Sequence, residues 1–274
     1  MTDDSGYKDR INYQDCFVAF LDLLGFKKLV FSKDKDDKKK INQYFEIVDS
    51  SIAYLQSIHS KRDIGAIVIS DSVILSVRKI TSLEENRNLF RSFCISVGLI
   101  QQKLAKRNLW LRGGISSGEA YFDEPKKQII GPAYVNSYEL ENKYAKYPRV
   151  IIDSKIIHEL GCQTAGELID AINKEDRGGL DYQNWEANIL FYRRKLYDPG
   201  IYIPHDIPLF IDYLSPNKEM RNQDLKPIIE HLKNNLYGNV EFYKKYRWIV
   251  DYLKSIYLCS DNNIPEIEEM LFNL

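Results

Sequence analysis

The chain has 274 residues, 44% of them apolar, enough to bury one sizeable core with a small appendage. Lysine plus arginine number 38 against 39 aspartates and glutamates, for a net charge of -1; this argues against wholesale binding to nucleic acid and leaves any anionic ligand to local groups. The four cysteines, Cys16, Cys94, Cys162 and Cys259, form no C-x-x-C pair, so neither a zinc knuckle nor a disulfide framework is indicated and buried thiols are expected.

Met1 to Asp15 is polar and lacks the apolar core of a signal peptide, and no later run reaches membrane-spanning length. A cytoplasmic protein with no direct membrane binding is expected. Phe17 to Phe26, FVAFLDLLGF, reads as a buried strand ending at Asp22. Charged side chains are seldom fully buried without a partner, so Asp22 is either compensated, a divalent metal being one answer, or caps the next helix or turn. Gly25 suits a tight turn whose backbone N–H groups approach an anion.

The charged run Ser32 to Lys40 reads as a solvated loop entering a helix, along which Ile41, Tyr44, Phe45, Val48, Ile52 and Leu55 recur at helical spacing. Gly65 to Val77 holds two β-branched runs around Ser70-Asp71-Ser72, a hairpin with Asp71 at or near its tip. A second helix carries Leu89, Phe93, Val97, Ile100 and Leu104 on one face. Leu109 to Ser116 and Glu119 to Phe122 then read as two strands joined through Ser117-Gly118. The order strand, helix, hairpin, helix, strand predicts an α+β fold of ferredoxin-like type, an antiparallel sheet with helices on one face. In that topology Asp22 and Asp71 face each other across adjacent strand ends and repel unless a cation lies between them. Magnesium suits such a pair, and two ions would clamp a phosphoryl-type displacement. Two unrelated turn aspartates are the alternative.

Downstream, short helices are expected before Gly161 and around Gly166 to Ile172, with late strands at Ala187 to Lys195 and Leu209 to Leu214. Arg193-Arg194-Lys195 reads as a solvated strand end. His59, His158, His205 and His231 are not paired at metal-ligand spacing and receive no chemistry. No P-loop, G-x-S-x-G elbow or Cys–His signature is present. Beyond Pro216 the chain turns helical, with an aromatic stripe in Val240 to Tyr257 that covers either its own sheet or a partner subunit. A catalytic unit over 15–214 and a helical extension over 215–274 are expected.

FVAFLDLLGF with Asp22, ISDSVILSV with Asp71, LRGGISSGEAYFD at Leu111 to Asp123, and IIGPAYVNSYELENKYAKYPRVIID at Ile129 to Asp153 together resemble the class III nucleotidyl cyclases. The GPA, ELE, YPRV and RGGIS details are most similar to their bacterial anti-phage branch, the Pycsar pyrimidine cyclases. The resemblance covers Asp15 to Leu214. It implies attack of a ribose 3′-hydroxyl on the α-phosphate of a nucleoside triphosphate, giving a 3′,5′-cyclic monophosphate and pyrophosphate. It implies two magnesium or manganese ions bridged by Asp22 and Asp71, with the carbonyl of Leu23 as a further ligand. The backbone of Leu23, Leu24, Gly25 and Phe26 would cradle the β- and γ-phosphates, and a homodimer would form composite active sites.

The departures narrow the substrate. Ile67 stands where purine-using relatives carry a base-reading lysine, and Gln128 occupies the second base-reading position, where its amide can serve uracil or cytosine. Arg112 reaches the base or a phosphate, or pairs with a carboxylate. Tyr44 narrows a base pocket, or is simply core. Val135 and Glu139 stand at the usual transition-state Asn and Arg positions; Asn136 and Lys143, two turns apart on one helix face, are the nearest substitutes, with Lys146 a turn beyond. Two readings follow: a cyclase making cyclic CMP or cyclic UMP from CTP or UTP as an anti-phage second messenger, or a degenerate cyclase-like domain that binds a nucleotide or a protein without turnover.

Overall fold

The computed structural model describes residues 11–58, 64–173, 190–191, 209–214, 221–238, 240–257 and 265–274. At its centre is β1 (Gln14–Leu23), whose side chains alternate between two cores as a strand requires. Phe17, Ala19, Leu21 and Leu23 enter one core, and Cys16, Val18 and Phe20 the other. Asp22 shares the second side by parity.

After β1 come a short helix α1 (Phe26–Phe31), the long α2 (Lys35–Ile58), β2 (Ile64–Ile69), β3 (Ser72–Arg78), α3 (Leu83–Ala105) and β4 (Leu111–Asp123). The strands lie in the order β2, β3, β1, β4, with β1 antiparallel to both neighbours. This is the ferredoxin-like split β-α-β arrangement, and the α+β expectation holds. Tyr44, Val48 and Leu55 of α2 and Leu89, Phe93, Val97, Ile100 and Leu104 of α3 pack on the first face of β1, the residues that helical spacing singles out. The side chain of Ser82 caps α3 by accepting the Glu85 N–H.

Three features depart from the expectation. First, β4 is one strand rather than a hairpin: Ser117 and Gly118 stay in register with Phe17 and Cys16, and Gly118 takes a φ of 127° that only glycine adopts easily, so the strand continues where a turn was expected. Its far end pairs instead with β5 (Gln128–Ile130), Asp123 opposite Gln128. Second, the sheet is mixed, because β6 (Val150–Ile152) runs parallel to β4 before the antiparallel pair formed with β7 (Leu190–Phe191) and β8 (Phe210–Ile211). Third, helices cover both faces. Helix α4 (Pro132–Glu139) and a π-helical turn over Leu140–Tyr144 cross the second face, where Ala133 packs with Val18, Phe20, Ile67 and Ile74. The crossing is close: a Cβ on Gly114 would lie 2.5 Å from Leu140 and 2.7 Å from the Ser137 carbonyl.

Helices α5 (Lys155–Glu159) and α6 (Ala165–Asn173) follow β6, and α7 (Arg221–Asn235), α8 (Val240–Tyr257) and α9 (Pro265–Phe272) close the chain. The aromatic stripe of α8 is spent on its own subunit. Trp248, Tyr252 and Leu253 share a core with Trp110, Phe210 and Tyr213, and Tyr147 stacks on Trp248 at 5.9 Å. Cys16, Cys94 and Cys162 are buried free thiols. Cys259, His59, His205, Arg193-Arg194-Lys195 and the remainder of the Ala187 to Lys195 strand lie outside the described residues. No described helix is long and apolar enough to cross a membrane.

Candidate active site

Strand β1, interior in the sheet, delivers Asp22 near its C-terminal end opposite Ser72, the residue after Asp71. Asp71 sits in the two-residue turn between β2 and β3 beside Ser70, whose φ of 57° is costly for a residue with a Cβ and fits the reversal a short hairpin needs. The Leu23 N–H donates to the Asp71 carbonyl at 3.1 Å, tying the hairpin tip to the end of β1. Two carboxylates from distant parts of the sequence are thereby fixed at one corner of the sheet.

The same corner contains a cation that sequence reading left with several roles. Arg112, paired with Asp22 across β1 and β4, places Nε and Nη2 each 3.1 Å from Asp22 Oδ2. Its Nη2 also lies 2.6 Å from Glu141 Oε1. One guanidinium therefore serves two carboxylates, and the side chains of Asp22, Arg112 and Glu141 are only 20%, 23% and 5% exposed. Burial pushes the Asp22 carboxyl above its usual range; Arg112 draws it down and the Asp71 charge pushes it up again. Glu141 is raised in the same way, by burial first, with Arg112 opposing and Asp22 adding. The corner is undercompensated for negative charge once Asp22 and Glu141 are ionised. Its donors are hard oxygens, the set that suits magnesium or manganese, and the charge deficit fits such an ion. Among the described residues no three His, Cys, Asp or Glu side chains cluster as a ready-made metal cage.

The turn after Asp22 is only partly open. Leu23 N–H is taken by Asp71, and Leu24 N–H donates to the Trp110 carbonyl at 2.9 Å, so neither is available to a phosphate. Gly25, at φ 81°, starts α1, and the amides of Gly25, Phe26 and Lys27 have no acceptor among the described residues. The expected cradle thus shifts toward Gly25 and Phe26.

The base-pocket expectation needs correction. Tyr44 is fully buried in the α2 face, with its ring 5.8 Å from Phe26, whereas Ile67 packs with Phe20 and Ile74 on the opposite face of the sheet. A sheet separates them, so they do not line one pocket. The Tyr44 hydroxyl is nonetheless buried without a hydrogen-bond partner, and burial together with Asp71 and Asp22 pushes its pKa far up, which keeps it a neutral donor close to the two aspartates. Gln128 is exposed and pairs with Asp123 at the far end of β4, up to roughly 35 Å along the strand from Arg112 at the usual strand rise.

Asn136 and Lys143 do not lie two α-helical turns apart. The Ala145 N–H bonds the Leu140 carbonyl at 2.9 Å, an i to i+5 link that widens the helix between them. Lys143 is exposed and paired with Glu139 at 2.9 Å. The Lys146 ammonium bonds the Asn142 carbonyl. Val135 is exposed on α4.

Sequence reading missed Glu141 and Lys245. The first sits inside the ELE motif but carries no sign of burial in a chain of surface-type residues. The second belongs to α8, yet its charge acts on Asp22.

No protein-family model matches the chain, and no curated protein is significantly similar to it. Among solved structures it is similar to the adenylyl cyclase CyaB from P. aeruginosa, with 14% identity over 55% of this chain and 82% of that one and a TM-score of 0.40. A bacterial light-regulated adenylyl cyclase gives 16% identity over 58% of this chain and 48% of that one, with a TM-score of 0.40. A class III adenylyl cyclase-like ATP-binding protein from Pseudomonas aeruginosa gives 10% over 61% and 38%, at 0.43. The chain spans less than half the length of the last two.

Proposed function

We propose that the chain is a nucleotidyl cyclase, a phosphorus–oxygen lyase that converts CTP or UTP to cyclic CMP or cyclic UMP and pyrophosphate, acting as a second-messenger source in anti-phage defence. The observation that carries the reading is the meeting of Asp22 and Asp71 at adjacent strand ends, bound together through Leu23 N–H and the Asp71 carbonyl. Arg112 offsets only part of the charge at that corner, so without a further positive guest the juxtaposition is a cost to the fold.

Asp22, Asp71 and the Leu23 carbonyl would hold two magnesium or manganese ions, which when bound acidify the 3′-hydroxyl and offset charge on the departing pyrophosphate. The chain's own groups do the rest. Arg112 holds Asp22 by Oδ2 and so fixes the direction of its other oxygen. Glu141 anchors that arginine from the π-turn. The amides of Gly25 and Phe26 face the phosphates, and Asn136 and Lys143 are the candidate groups for charge that builds at the α-phosphate. Gln128 is too far along β4 to serve the Asp22 of its own subunit, so a base contact from it requires a second copy. The exposed apolar side chains Ile130, Val135 and Tyr138 offer a surface for a homodimer. The catalytic unit is 15–214, with 215–274 as a helical extension. Ile67, buried and apolar, offers nothing to a purine edge, which favours a pyrimidine.

A second reading has its own support. Val135 and Glu139 occupy the positions where class III enzymes are expected to carry their transition-state Asn and Arg, and Glu139 is already paired with Lys143. A nucleotide-binding domain without turnover would look the same. Incubation with each ribonucleoside triphosphate and manganese, with product mass spectrometry, separates the two: cyclic CMP or cyclic UMP supports the enzyme, and binding without any cyclic product supports the module.

A further inference from the structure

Tyr44 of α2 is 0% exposed, with its ring 5.8 Å from that of Phe26, the first residue of α1, and 5.0 Å from that of Phe45. Leu21, Leu23, Val73 and Leu75 share its core. A phenylalanine would suit such surroundings equally well, so packing accounts for the ring but not for its hydroxyl. That oxygen is buried and has no hydrogen-bond partner among the described residues. A polar group taken out of water without a partner is a cost to the fold.

The side chains of β3 indicate what shares that side of the sheet. Val73, Leu75 and Val77 enter the core of Tyr44 and Ile74 enters the opposite one, so the same alternation carried back past Ser72 sets Asp71 on the Tyr44 side. The backbone agrees, since the Asp71 carbonyl accepts at 3.1 Å from the N–H of Leu23, a member of the same core. After burial, the charge that raises the Tyr44 phenol most is that of Asp71, ahead of Asp22 and Asp49. The phenol therefore stays protonated and able to donate. The two site carboxylates differ in their support: Asp22 accepts from Arg112, whereas among the described residues no hydrogen bond or ion pair holds the Asp71 carboxylate. A buried donor lacking an acceptor and a carboxylate lacking a donor thus share one side of the hairpin tip.

We propose that Tyr44 is a positioning residue of the ion site, its hydroxyl donating to the Asp71 carboxylate when that group ligates an ion. Ligating carboxylates are as a rule hydrogen-bonded themselves, which fixes the oxygen turned toward the metal. Arg112 does this for Asp22, and Tyr44 does it for Asp71. The inference rests on the reading of Asp22 and Asp71 as ion ligands and on nothing about which nucleotide is used. It gives the orphaned hydroxyl an acceptor, which packing alone does not.

The test is titration of the full chain with manganese alone, followed by the paramagnetic resonance of the free ion, together with thermal melts in chelator and in manganese. Wild type is expected to bind the ion and Asp71→Ala to lose it. Tyr44→Phe should bind about 10- to 100-fold more weakly, and in chelator it should melt at or above wild type, because it removes an unpaired buried hydroxyl and keeps the ring. Manganese should then raise its melting temperature by less than it raises that of wild type. A tyrosine that only supports the fold would do the reverse, melting lower in chelator with its manganese affinity unchanged. Tyr54→Phe, 44% exposed on the same helix, should alter neither reading. Wild-type manganese affinity in Tyr44→Phe, with binding lost in Asp71→Ala, would overturn the role of Tyr44 and leave the ion site standing. No manganese binding by wild type, or full binding by Asp71→Ala, would remove the ion site and this inference with it. If Tyr44→Phe melts below wild type, the affinities of Tyr44→Phe and Tyr44→Leu at a temperature where all are folded decide: a loss of tenfold or more in both upholds the role, and unchanged affinity in either overturns it.

Discussion

Asp22 is held by Arg112, and this bears on what its removal should do. Asp22→Ala and Asp71→Ala should each cut cyclisation by about 10³-fold or more, since each removes an ion's anchor at the point where charge develops. Activity near wild type in either variant would remove the two-ion assignment. Stability should move the other way. The folded-state pKa values of Asp22 and Glu141 are raised, so in this pH range the native chain binds more protons than the unfolded one. Their contribution is present below the ordinary carboxylate range and is lost as pH rises through the raised values. Asp22→Asn keeps an acceptor for Arg112 without the charge. In chelator, its melting temperature should overtake that of wild type progressively as pH rises out of the ordinary carboxylate range and through the raised Asp22 value. A constant difference across that range would show that the Asp22 charge carries no such penalty.

The order of elements and the two aspartates were legible because both depend on local signals: a continuous apolar run in β1, helical spacing in α2 and α3, and a Ser-Asp turn between two β-branched runs. What was not legible depends on contacts between distant segments. Ser117-Gly118 carries turn residues, yet pairing with Phe17 and Cys16 on β1 keeps the strand running, because ladder hydrogen bonds outweigh a weak local turn preference. Tyr44 and Ile67 both read as pocket residues, and only the sheet shows that they lie on opposite faces. The π-turn after α4 leaves no sequence trace, yet it alters the relation of Asn136 to Lys143 and carries Glu141 to Arg112. The length of β4 leads to a test at this scale. Gln128 lies up to roughly 35 Å along β4 from Arg112, so in a mixture of Asp22→Ala and Gln128→Ala chains the mixed dimers should recover up to about half of their sites, each holding one intact composite site. Failure to recover, with subunit exchange demonstrated, would confine the site to a single chain.

At the scale of the whole molecule, the C-terminal helices are integral to the fold. Trp110, Phe210 and Tyr213 are buried with Trp248, Tyr252 and Leu253, and each large side chain so covered is worth about 1.5–3 kcal/mol. A chain ending at Leu214 should therefore lose several kcal/mol of stability and tend to aggregate. A truncated chain melting with wild type would show that α7 to α9 are an independent appendage. The most direct measurement of the central claim is the product formed from CTP, UTP, ATP and GTP in separate reactions with manganese, resolved by mass spectrometry. Cyclic CMP or cyclic UMP should form, with the purine triphosphates turned over far more slowly, and Asp22→Ala should abolish it. Cyclic AMP or cyclic GMP at a rate comparable with the better pyrimidine would contradict the pyrimidine assignment, and no cyclic product from any of the four would contradict the cyclase itself.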